Sequence, residues 1–502
     1  MVGVPGRSRS CITCLGRKKG CDRNRPSCTQ CVKAGLVCGG YDRATVFVNS
    51  TQAAGRSPTP YRRQDAATSL TPGQTSFASS AQEITLPLGL TQTAYNLRYI
   101  DLFWSAYLPS GKAFTCDAAR LSNGGWINVA LDLYPADRSL QLAMQGVVLR
   151  GLGARDENKA LAGQGSAAYL KCLQEFHKAL NKPKRLKNDA LLCTAKLLSL
   201  FEMHYGADEM DYLVQQRSWV AHARGQLAIL TARQPQEFRS GKAHQLFVDY
   251  RYILIISAIF DRRRFVLTGN GWNTTPWKSI RKSPRDKLLD ILGDLAGILE
   301  DIDNRNICEN LAERAALKQS ITRSCWGLAE RLQSWANEVG KLKDFRTSTS
   351  SDDVVGPRDS EDFALAHLTI LYWATCALVY ANLLALVDSG TATLPRLDPL
   401  EYARKVVYAL PFFLDPSAGI MGSKSASFPL GLVLQVLYGT EDKPSEHRDL
   451  LAEFFESQGE TKAIVKFVMS LQRGYATAET AERDGLQGIE ARAKRWMNLA
   501  GS

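Results

Sequence analysis

Six cysteines near the amino terminus constrain this chain more than any other feature. They form two copies of one spacing, C-x2-C-x6-C, and the copies contain Cys11, Cys14 and Cys21, then Cys28, Cys31 and Cys38. A segment of 28 residues is too short to bury an apolar core, so something other than hydrophobic packing must fold it. A C-x2-C pair can place two sulfur atoms on one zinc ion at about 2.3 Å. The spacing therefore predicts a metal cluster.

The number of thiolates predicts how many ions the cluster holds. Tetrahedral zinc takes four ligands, and each copy offers three. Two zinc ions need eight contacts, and six cysteines supply eight if two of them bridge. The symmetric choice is the first cysteine of each copy, Cys11 and Cys28. A single zinc on the two C-x2-C pairs is the main alternative, and it would leave the third cysteine of each copy without a role.

The charge of the chain is concentrated in the segment that holds these cysteines. The formal net charge is +12, and residues 1–50 contribute +7 of it, with nine Lys or Arg against two Asp. A basic amino-terminal segment followed by a nearly neutral chain indicates a polyanionic partner for the amino-terminal segment. The first ten residues are polar and basic and lack the apolar core of a secretory signal, which argues against a disulfide scaffold.

The remaining six cysteines are scattered singly through apolar segments. Isolated cysteines in such a setting are typical of small buried hydrophobic residues in a reducing compartment. We predict this role for Cys116, Cys172, Cys193, Cys308, Cys325 and Cys376.

The cysteine segment resembles the fungal binuclear zinc-cluster transcription factors. Their pattern is Cys-x2-Cys-Arg-x-Arg-Lys-x-Lys-Cys-Asp, a proline-containing loop, and then Cys-x2-Cys-x6-Cys. This chain departs from it at two positions: Leu15 stands where the family usually has Arg, and Gly20 where it usually has Lys. Both departures remove charge near DNA. The chain matches the pattern at all six cysteines and at Arg17, Lys18, Asp22 and Pro26.

The resemblance implies a nuclear, sequence-specific regulator of RNA polymerase II transcription with two zinc ions per chain. In the family, the helix after the first cysteine pair enters the major groove and reads a CGG triplet, which agrees with the docking of this class of module. Applied to this chain, the resemblance implies that Lys18 and Arg17 read base edges. It implies that Lys19, Arg23 and Lys33 contact phosphates. We expect the helix to end at Gly20, because glycine tolerates left-handed backbone angles.

The rest of the chain is predicted to be all-α. Residues 49–92 are rich in Ser, Thr, Gln, Ala, Gly and Pro, so we expect a flexible linker over 39–92. Before it we expect a basic arm (1–10) and the zinc module (11–38), and after it a helical regulatory domain (93–502). Tyr99, Ile100, Phe103, Trp104, Tyr107 and Leu108 form an apolar stripe at helical spacing. Similar stripes predict helices near 138–152, 166–181, 188–204, 212–232, 243–260, 283–302, 308–339, 362–387, 399–413 and 478–499, with a loop near 341–360.

Three runs in this region resemble the helical regulatory domain of the same family. They lie at Trp219–Leu227, at Leu246–Arg251 and around Trp277. The stretch from Phe363 to Val387 is uncharged and long enough to cross a bilayer, but it contains polar residues and lies among other apolar segments. We interpret it as a buried core helix and expect no membrane partner.

Two other classes of function compete with transcription regulation: an enzyme whose helical body is brought to DNA, and a helical interaction scaffold. The body lacks a nucleophile elbow, a phosphate loop and a metalloprotease signature, so we expect no enzymatic activity.

The expected partners are double-stranded DNA, the transcription machinery or co-regulators, and a second copy of this chain. Residues 39–92 show no sustained heptads, so a coiled coil directly after the cluster is not supported. Members of this family commonly regulate biosynthetic gene clusters, but these residues do not favour that over primary metabolism or drug response.

Overall fold

A computed structural model of the chain describes residues 10–24, 27–38, 88–206, 212–269, 271–345, 356–387 and 398–438. The chain divides into two compact units, Met1–Glu83 and Ile84–Ser502. All regular elements among the described residues are helices, with no β-strand. The prediction of an all-α chain with a small cysteine module and a large helical body is therefore confirmed.

The first unit contains two one-turn helices, and each follows a cysteine. Helix α1 spans Ile12–Gly16 and α2 spans Thr29–Lys33. Helices of five residues are too short to be stable by backbone hydrogen bonding, so their stability must come from what their ends bind. Among the described residues of this unit, the buried ones are Cys11, Cys14, Cys28 and Cys31.

The second unit is a bundle of helices around one continuous apolar core. Ser, Asp or Asn side chains cap the amino termini of several helices, as Asp137 does before α6 and Ser283 before α12. The helices are α3 Leu88–Tyr107, α4 Cys116–Leu121, α5 Trp126–Leu133, α6 Arg138–Arg155, α7 Lys159–Leu180, α8 Pro183–Leu186, α9 Asp189–Tyr205, α10 Tyr212–Thr231, α11 Gly241–Phe260, α12 Pro284–Ile307, α13 Leu311–Val339, α14 Ser360–Leu386, α15 Pro399–Tyr408, α16 Leu410–Leu414 and α17 Gly419–Tyr438.

Glycines allow one pair of these helices to pack unusually closely. A Cβ atom at Gly153 of α6 would lie 2.4 Å from the backbone nitrogen of Ala162, and one at Gly165 of α7 would lie 2.4 Å from that of Arg150. Real Cβ atoms essentially never lie so close to another atom, so α6 and α7 pack backbone against backbone along this contact. Gly153 and Gly165 thus serve the packing of α6 against α7.

Helix α14 lies in the middle of the body and contacts α4, α13, α15 and α17. Among the described residues it is the helix that is long and apolar enough to cross a membrane. Within its most apolar window, 72% of the residues are buried inside the body. This burial agrees with our interpretation of the segment as a core helix.

Most of the predicted apolar stripes coincide with helices, and the differences lie where the local signals are weak. Residues 399–413 form two helices, α15 and α16, and α4, α5 and α17 were not predicted at all. Helix α3 begins at Leu88, so the last residues of the predicted linker are helical, whereas 39–87 lie outside the described residues. The helix predicted at 478–499 and residues 346–355 of the predicted loop also lie outside them.

The prediction for the scattered cysteines is wrong at two positions. Cys172, Cys193, Cys325 and Cys376 are buried, but Cys116 is exposed at the start of α4 and Cys308 is partly exposed after the end of α12. Apolar neighbours in sequence do not ensure burial at the end of a helix, where the chain turns outward.

Candidate metal centre and nucleic-acid interface

The two copies of the cysteine spacing adopt the same local backbone, displaced by 17 residues. The backbone N–H of Cys14 donates to the Sγ atom of Cys11 at 3.3 Å, and that of Cys31 donates to Cys28 Sγ at 3.3 Å. In each copy the N–H of the first cysteine also donates to the sulfur of the third, at 3.4 and 3.5 Å. These bonds stabilise negative charge on sulfur and aim the sulfur atoms at a common point.

Both helices of the module also end in the same way. In the first copy the Lys19 N–H donates to the Cys14 carbonyl oxygen at 3.0 Å, and the equivalent bond in the second copy is 2.9 Å long. The residue before each donor is left-handed: Lys18 has a φ of 52° and Gly35 a φ of 64°. A backbone hydrogen bond that reaches back five residues, made just after a left-handed residue, is a common way for a helix to end.

The expected end of the first helix at Gly20 is therefore wrong. Helix α1 ends at Gly16, and Lys18 takes the left-handed conformation that we assigned to a glycine. The third cysteine must return to the first, as the N–H to sulfur bond between Cys11 and Cys21 shows. That return leaves too few residues for a second helical turn.

The six sulfur atoms form two overlapping groups of four. Within each group all atoms lie within 4.8 Å of one another, and the groups are Cys11, Cys14, Cys21, Cys28 and Cys11, Cys28, Cys31, Cys38. Sulfur atoms at about 2.3 Å from a tetrahedral zinc would be about 3.8 Å apart. The Sγ atom of Cys28 lies 3.6 Å from that of Cys11 and 3.6 Å from that of Cys14. Both groups are therefore close to the spacing that a zinc ion requires.

The distances among the four buried cysteines do not by themselves separate one zinc from two. The Sγ atoms of Cys14 and Cys31 are 3.8 Å apart, which would also suit a single ion on the two C-x2-C pairs. Cys21 and Cys38 distinguish the alternatives, because each completes one group of four while remaining partly exposed. A single ion would leave these two sulfur atoms beside the cluster with no ligand role.

Electrostatics favour a cation at this centre. Burial raises the pKa of the Cys14 thiol above its usual range, and it raises that of Cys28 as well. A divalent ion offsets the cost of holding these sulfur atoms as thiolates. Six thiolates and two zinc ions would keep a net charge of −2, which neighbouring basic side chains can balance.

Side-chain hydrogen bonds join the two copies, and the sequence analysis did not find them. The Asp22 carboxylate accepts the backbone N–H of Thr29, the first residue of α2, at 3.1 Å. The Asn24 amide donates to Asp22 and to Thr29 Oγ1, both at 3.0 Å. These bonds, those with Thr29 above all, hold the pKa of Asp22 below its usual range. The Thr13 hydroxyl also donates to the Val37 carbonyl at 3.0 Å.

The predicted DNA-contacting side chains are all exposed, and most of them lie on one turn. Arg17, Lys18 and Lys19 directly follow the last residue of α1, so they stand on the turn after the helix. Arg23 lies in the loop between the copies, also with a left-handed φ of 61°, and Lys33 is the last residue of α2. Arg25 and Pro26 lie outside the described residues.

The equivalent turn of the second copy has a different surface. It carries Ala34, Gly35 and Leu36 and is followed by Val37, whose side chain is 92% exposed. The module thus presents a basic turn from its first copy and an apolar turn from its second.

Comparison with known proteins assigns this module to a family. Residues 9–46 match the family model of the fungal Zn(2)-Cys(6) binuclear cluster domain. That domain binds two zinc ions through six cysteines, and the two overlapping sulfur groups of this chain fit that cofactor.

Two curated relatives are similar to parts of the chain. An uncharacterized transcriptional regulatory protein of Saccharomyces cerevisiae is 61% identical over 33 residues, which are 7% of this chain and 2% of the relative. An uncharacterized protein of Emericella nidulans is 23% identical over 185 residues, which are 36% of this chain and 38% of the relative. This chain therefore spans far less than two thirds of either relative. No solved structure matches the chain.

Proposed function

This chain carries a fungal Zn(2)-Cys(6) binuclear cluster domain, and we propose that it acts as a nuclear, sequence-specific DNA-binding regulator of RNA polymerase II transcription. The observation that carries the proposal is the pair of overlapping sulfur groups beside an exposed basic turn. A metal-folded module with a basic surface suits the DNA backbone, which binds proteins largely through its phosphates.

The proposed ligand roles follow from the overlap of the two groups. Cys11 and Cys28 belong to both and bridge the zinc ions. Cys14 and Cys21 complete one ion, and Cys31 and Cys38 complete the other. The zinc ions supply most of the folding energy of a module that has no apolar core. This chain's backbone N–H groups hold the sulfur atoms in place, and Asp22 joins the two copies through Thr29.

The proposed base readers are Lys18 and Arg17. A left-handed conformation costs an ordinary residue about 1–2 kcal/mol, and the second copy avoids this cost with Gly35. The first copy keeps a lysine there, which supports a role for its side chain outside the fold. Lysine and arginine suit the O6 and N7 acceptors of guanine, so we assign the reading of a CGG half-site to this turn.

The other exposed basic residues of the module are assigned to the DNA backbone. Lys19, Arg23 and Lys33 contact phosphates in this proposal, which positions the module without specifying sequence. Leu15 and Gly20 remove two positive charges that the family pattern has, so this chain makes fewer phosphate contacts than the pattern provides.

The remaining organisation is also a proposal. Residues 1–10 form a basic arm, 39–87 a linker and 88–502 a helical regulatory domain without enzymatic activity. This domain contacts co-regulators or the transcription machinery. A second copy of the chain would supply the second half-site. Control of a biosynthetic gene cluster is one target class that fits such a regulator.

The test is the salt dependence of DNA binding by the full chain on a duplex that contains CGG. With four to six phosphate contacts, the slope of log affinity against log salt is expected to be about −4 to −5. A variant that lacks residues 1–48 serves as the control and should lose this binding. A flat salt response of the full chain would rule out engagement of the DNA backbone by the basic module.

A further inference from the structure

Helices α12 and α13 form an antiparallel hairpin, and a cleft of about 310 Å³ lies along one side of it. The cleft forms where side chains are missing, at Gly297 of α12 and Gly327 of α13. A Cβ atom at Gly297 would lie 2.6 Å from Arg264 Nη1, and one at Gly327 would meet no atom within 4 Å. Pockets for small ligands have volumes of about 300–1,000 Å³, so this cleft suits a molecule at the small end of that range.

An ion pair lies at each end of the cleft. At one end Arg331 Nη1 donates to the Asp294 carboxylate at 2.6 Å. At the other end Arg264 Nη2 donates to the Asp301 carboxylate at 2.7 Å. All four side chains line the cleft. Asp294 and Asp301 are seven residues apart on α12, so the two pairs are separated by two helical turns, or about 10 Å.

The wall between the two ion pairs is apolar. Ile298 follows Asp294 by one turn of α12, and Leu328 precedes Arg331 by one turn of α13. Both line the cleft and are largely buried, with 6% and 4% of their surfaces exposed. The cleft therefore suits a ligand with an apolar middle and two charged ends.

The two ends leave different hydrogen-bonding groups unused. Within the part of the chain that the structure describes, Arg331 bonds Asp294 through one nitrogen, so its Nε and Nη2 atoms keep N–H groups for a ligand. Arg264 is more fully engaged, because its Nε atom also lies 3.5 Å from the Glu300 carboxylate. The Arg331 end thus has more unused donors, and it suits an anionic group.

The opposite end offers acceptors. The Arg331–Asp294 pair sets the register of the antiparallel helices. Seven residues later on α12 stands Asp301, and seven residues earlier on α13 stands Ser324, so these two residues face each other across the cleft that both line. A carboxylate and a hydroxyl can both accept hydrogen bonds from an ammonium group, so this end suits a cation.

We propose that the cleft binds an elongated zwitterion, a molecule with a carboxylate and an ammonium group at opposite ends of a short aliphatic chain. The carboxylate accepts hydrogen bonds from the unused N–H groups of Arg331, and the ammonium group donates to Asp301 and Ser324. The aliphatic chain packs on Ile298 and Leu328. A molecule with charge of one sign complements only one end of the cleft. Because both helices contact the ligand, occupancy stabilises the hairpin and gives the helical body a means to respond to a metabolite.

The experiment follows the melting temperature of the full chain during titration with 6-aminohexanoate. Hexanoate and hexylamine, which each carry one of its two charges, are titrated at the same ionic strength. The zwitterion should raise the melting temperature of the helical body by about 3–5 °C at one hundred times its dissociation constant and then saturate. Neither single-charge molecule should give a saturating increase over the same concentrations. The zwitterion proposal is overturned if 6-aminohexanoate gives no saturating increase, or if either single-charge molecule matches it.

Gly327→Leu fills the cleft without removing a charge. The new side chain enters open space, and leucine favours a helix more than glycine does, so the unliganded variant should melt no lower than the wild type. It should abolish the saturating increase. Gly163→Leu is the matched control, because Gly163 of α7 is also a helical glycine whose Cβ would meet no atom within 4 Å, and it lies outside the cleft. This variant should keep the response.

Arg331→Gln tests the contact with the carboxylate and takes the place of Gly327→Leu if the latter does not fold. It should weaken the binding of 6-aminohexanoate about tenfold to a hundredfold, because hydrogen bonds to a charged group are lost. A response that persists in Gly327→Leu, or an unchanged affinity in Arg331→Gln, would contradict binding in this cleft. The readout does not involve the zinc module, so it is independent of the proposed DNA binding.

Discussion

The two copies of the cysteine spacing have one backbone and two surfaces. Each copy has the same N–H to sulfur bonds and the same left-handed helix stop, with distances that agree within 0.1 Å. Between the second and third cysteines, however, the first copy carries Arg17, Lys18 and Lys19, whereas the second carries Leu36 and Val37. The comparison separates two tasks: the cysteines determine the path of the chain, and the residues between them determine what the surface can bind.

The largest expected effect tests the shared backbone. Zinc removal should unfold both copies together, because structural zinc contributes about 10–16 kcal/mol to modules of this kind. Cys11→Ala and Cys28→Ala should be equally severe, and each should be worse than Cys38→Ala, because a bridging sulfur serves both ions. Circular dichroism and metal analysis of residues 1–48 check this expectation. One zinc per chain, or a module that stays folded in a strong chelator, would contradict the symmetric cluster.

The next effect tests the different surfaces. Lys18→Ala should cost about 1–3 kcal/mol on the preferred site and relax the preference at one base position, because a base contact is lost. Lys19→Ala should weaken binding to all sequences alike and flatten the salt slope by about one unit. The measurement is a binding series over single-base variants of a CGG duplex at two salt concentrations. Equal losses for both variants on every duplex would mean that Lys18 does not read sequence.

A smaller effect compares the two left-handed positions directly. Lys18→Gly should stabilise the zinc-bound module by about 1 kcal/mol while DNA affinity falls, because glycine adopts a positive φ without strain. Gly35→Ala should destabilise the module by a similar amount with little change in DNA affinity. Denaturant unfolding at saturating zinc provides both numbers. If Lys18→Gly does not raise stability, the contrast between the two turns has no energetic basis.

The smallest effect restores one charge of the family pattern. Leu15→Arg should tighten DNA binding and steepen the salt slope by about one unit, because one phosphate contact is added. The preferred triplet should stay the same, since a phosphate contact carries no sequence information. Val32→Arg is the matched control on the second copy, because exposed Val32 follows Cys31 as Leu15 follows Cys14. A changed triplet in Leu15→Arg would show that this position affects the docking geometry.

The helical body shows how far periodicity alone predicts a fold. The stripe from Tyr99 to Leu108 predicted α3, and its members are buried there except for Tyr99, which is partly buried. Helix α17 was missed because it contains glycines and Pro429, which local propensity places outside helices. Burial against α14 and α15 overrides that propensity. Because α17 was missed, its lone charged residue Lys424 was missed as well.

The sequence by itself determined the metal chemistry of the cysteine module and the positive charge of its surface. Cysteine spacing is a local property, and the number of thiolates limits the number of zinc ions before any fold is known. Tertiary structure decided where α1 ends, which residue is left-handed and which side chains join the two copies. It alone placed Lys196 against Asp249 and Lys424 against Tyr107. The physical reason is that such contacts depend on packing between segments far apart in the chain, which no local pattern records.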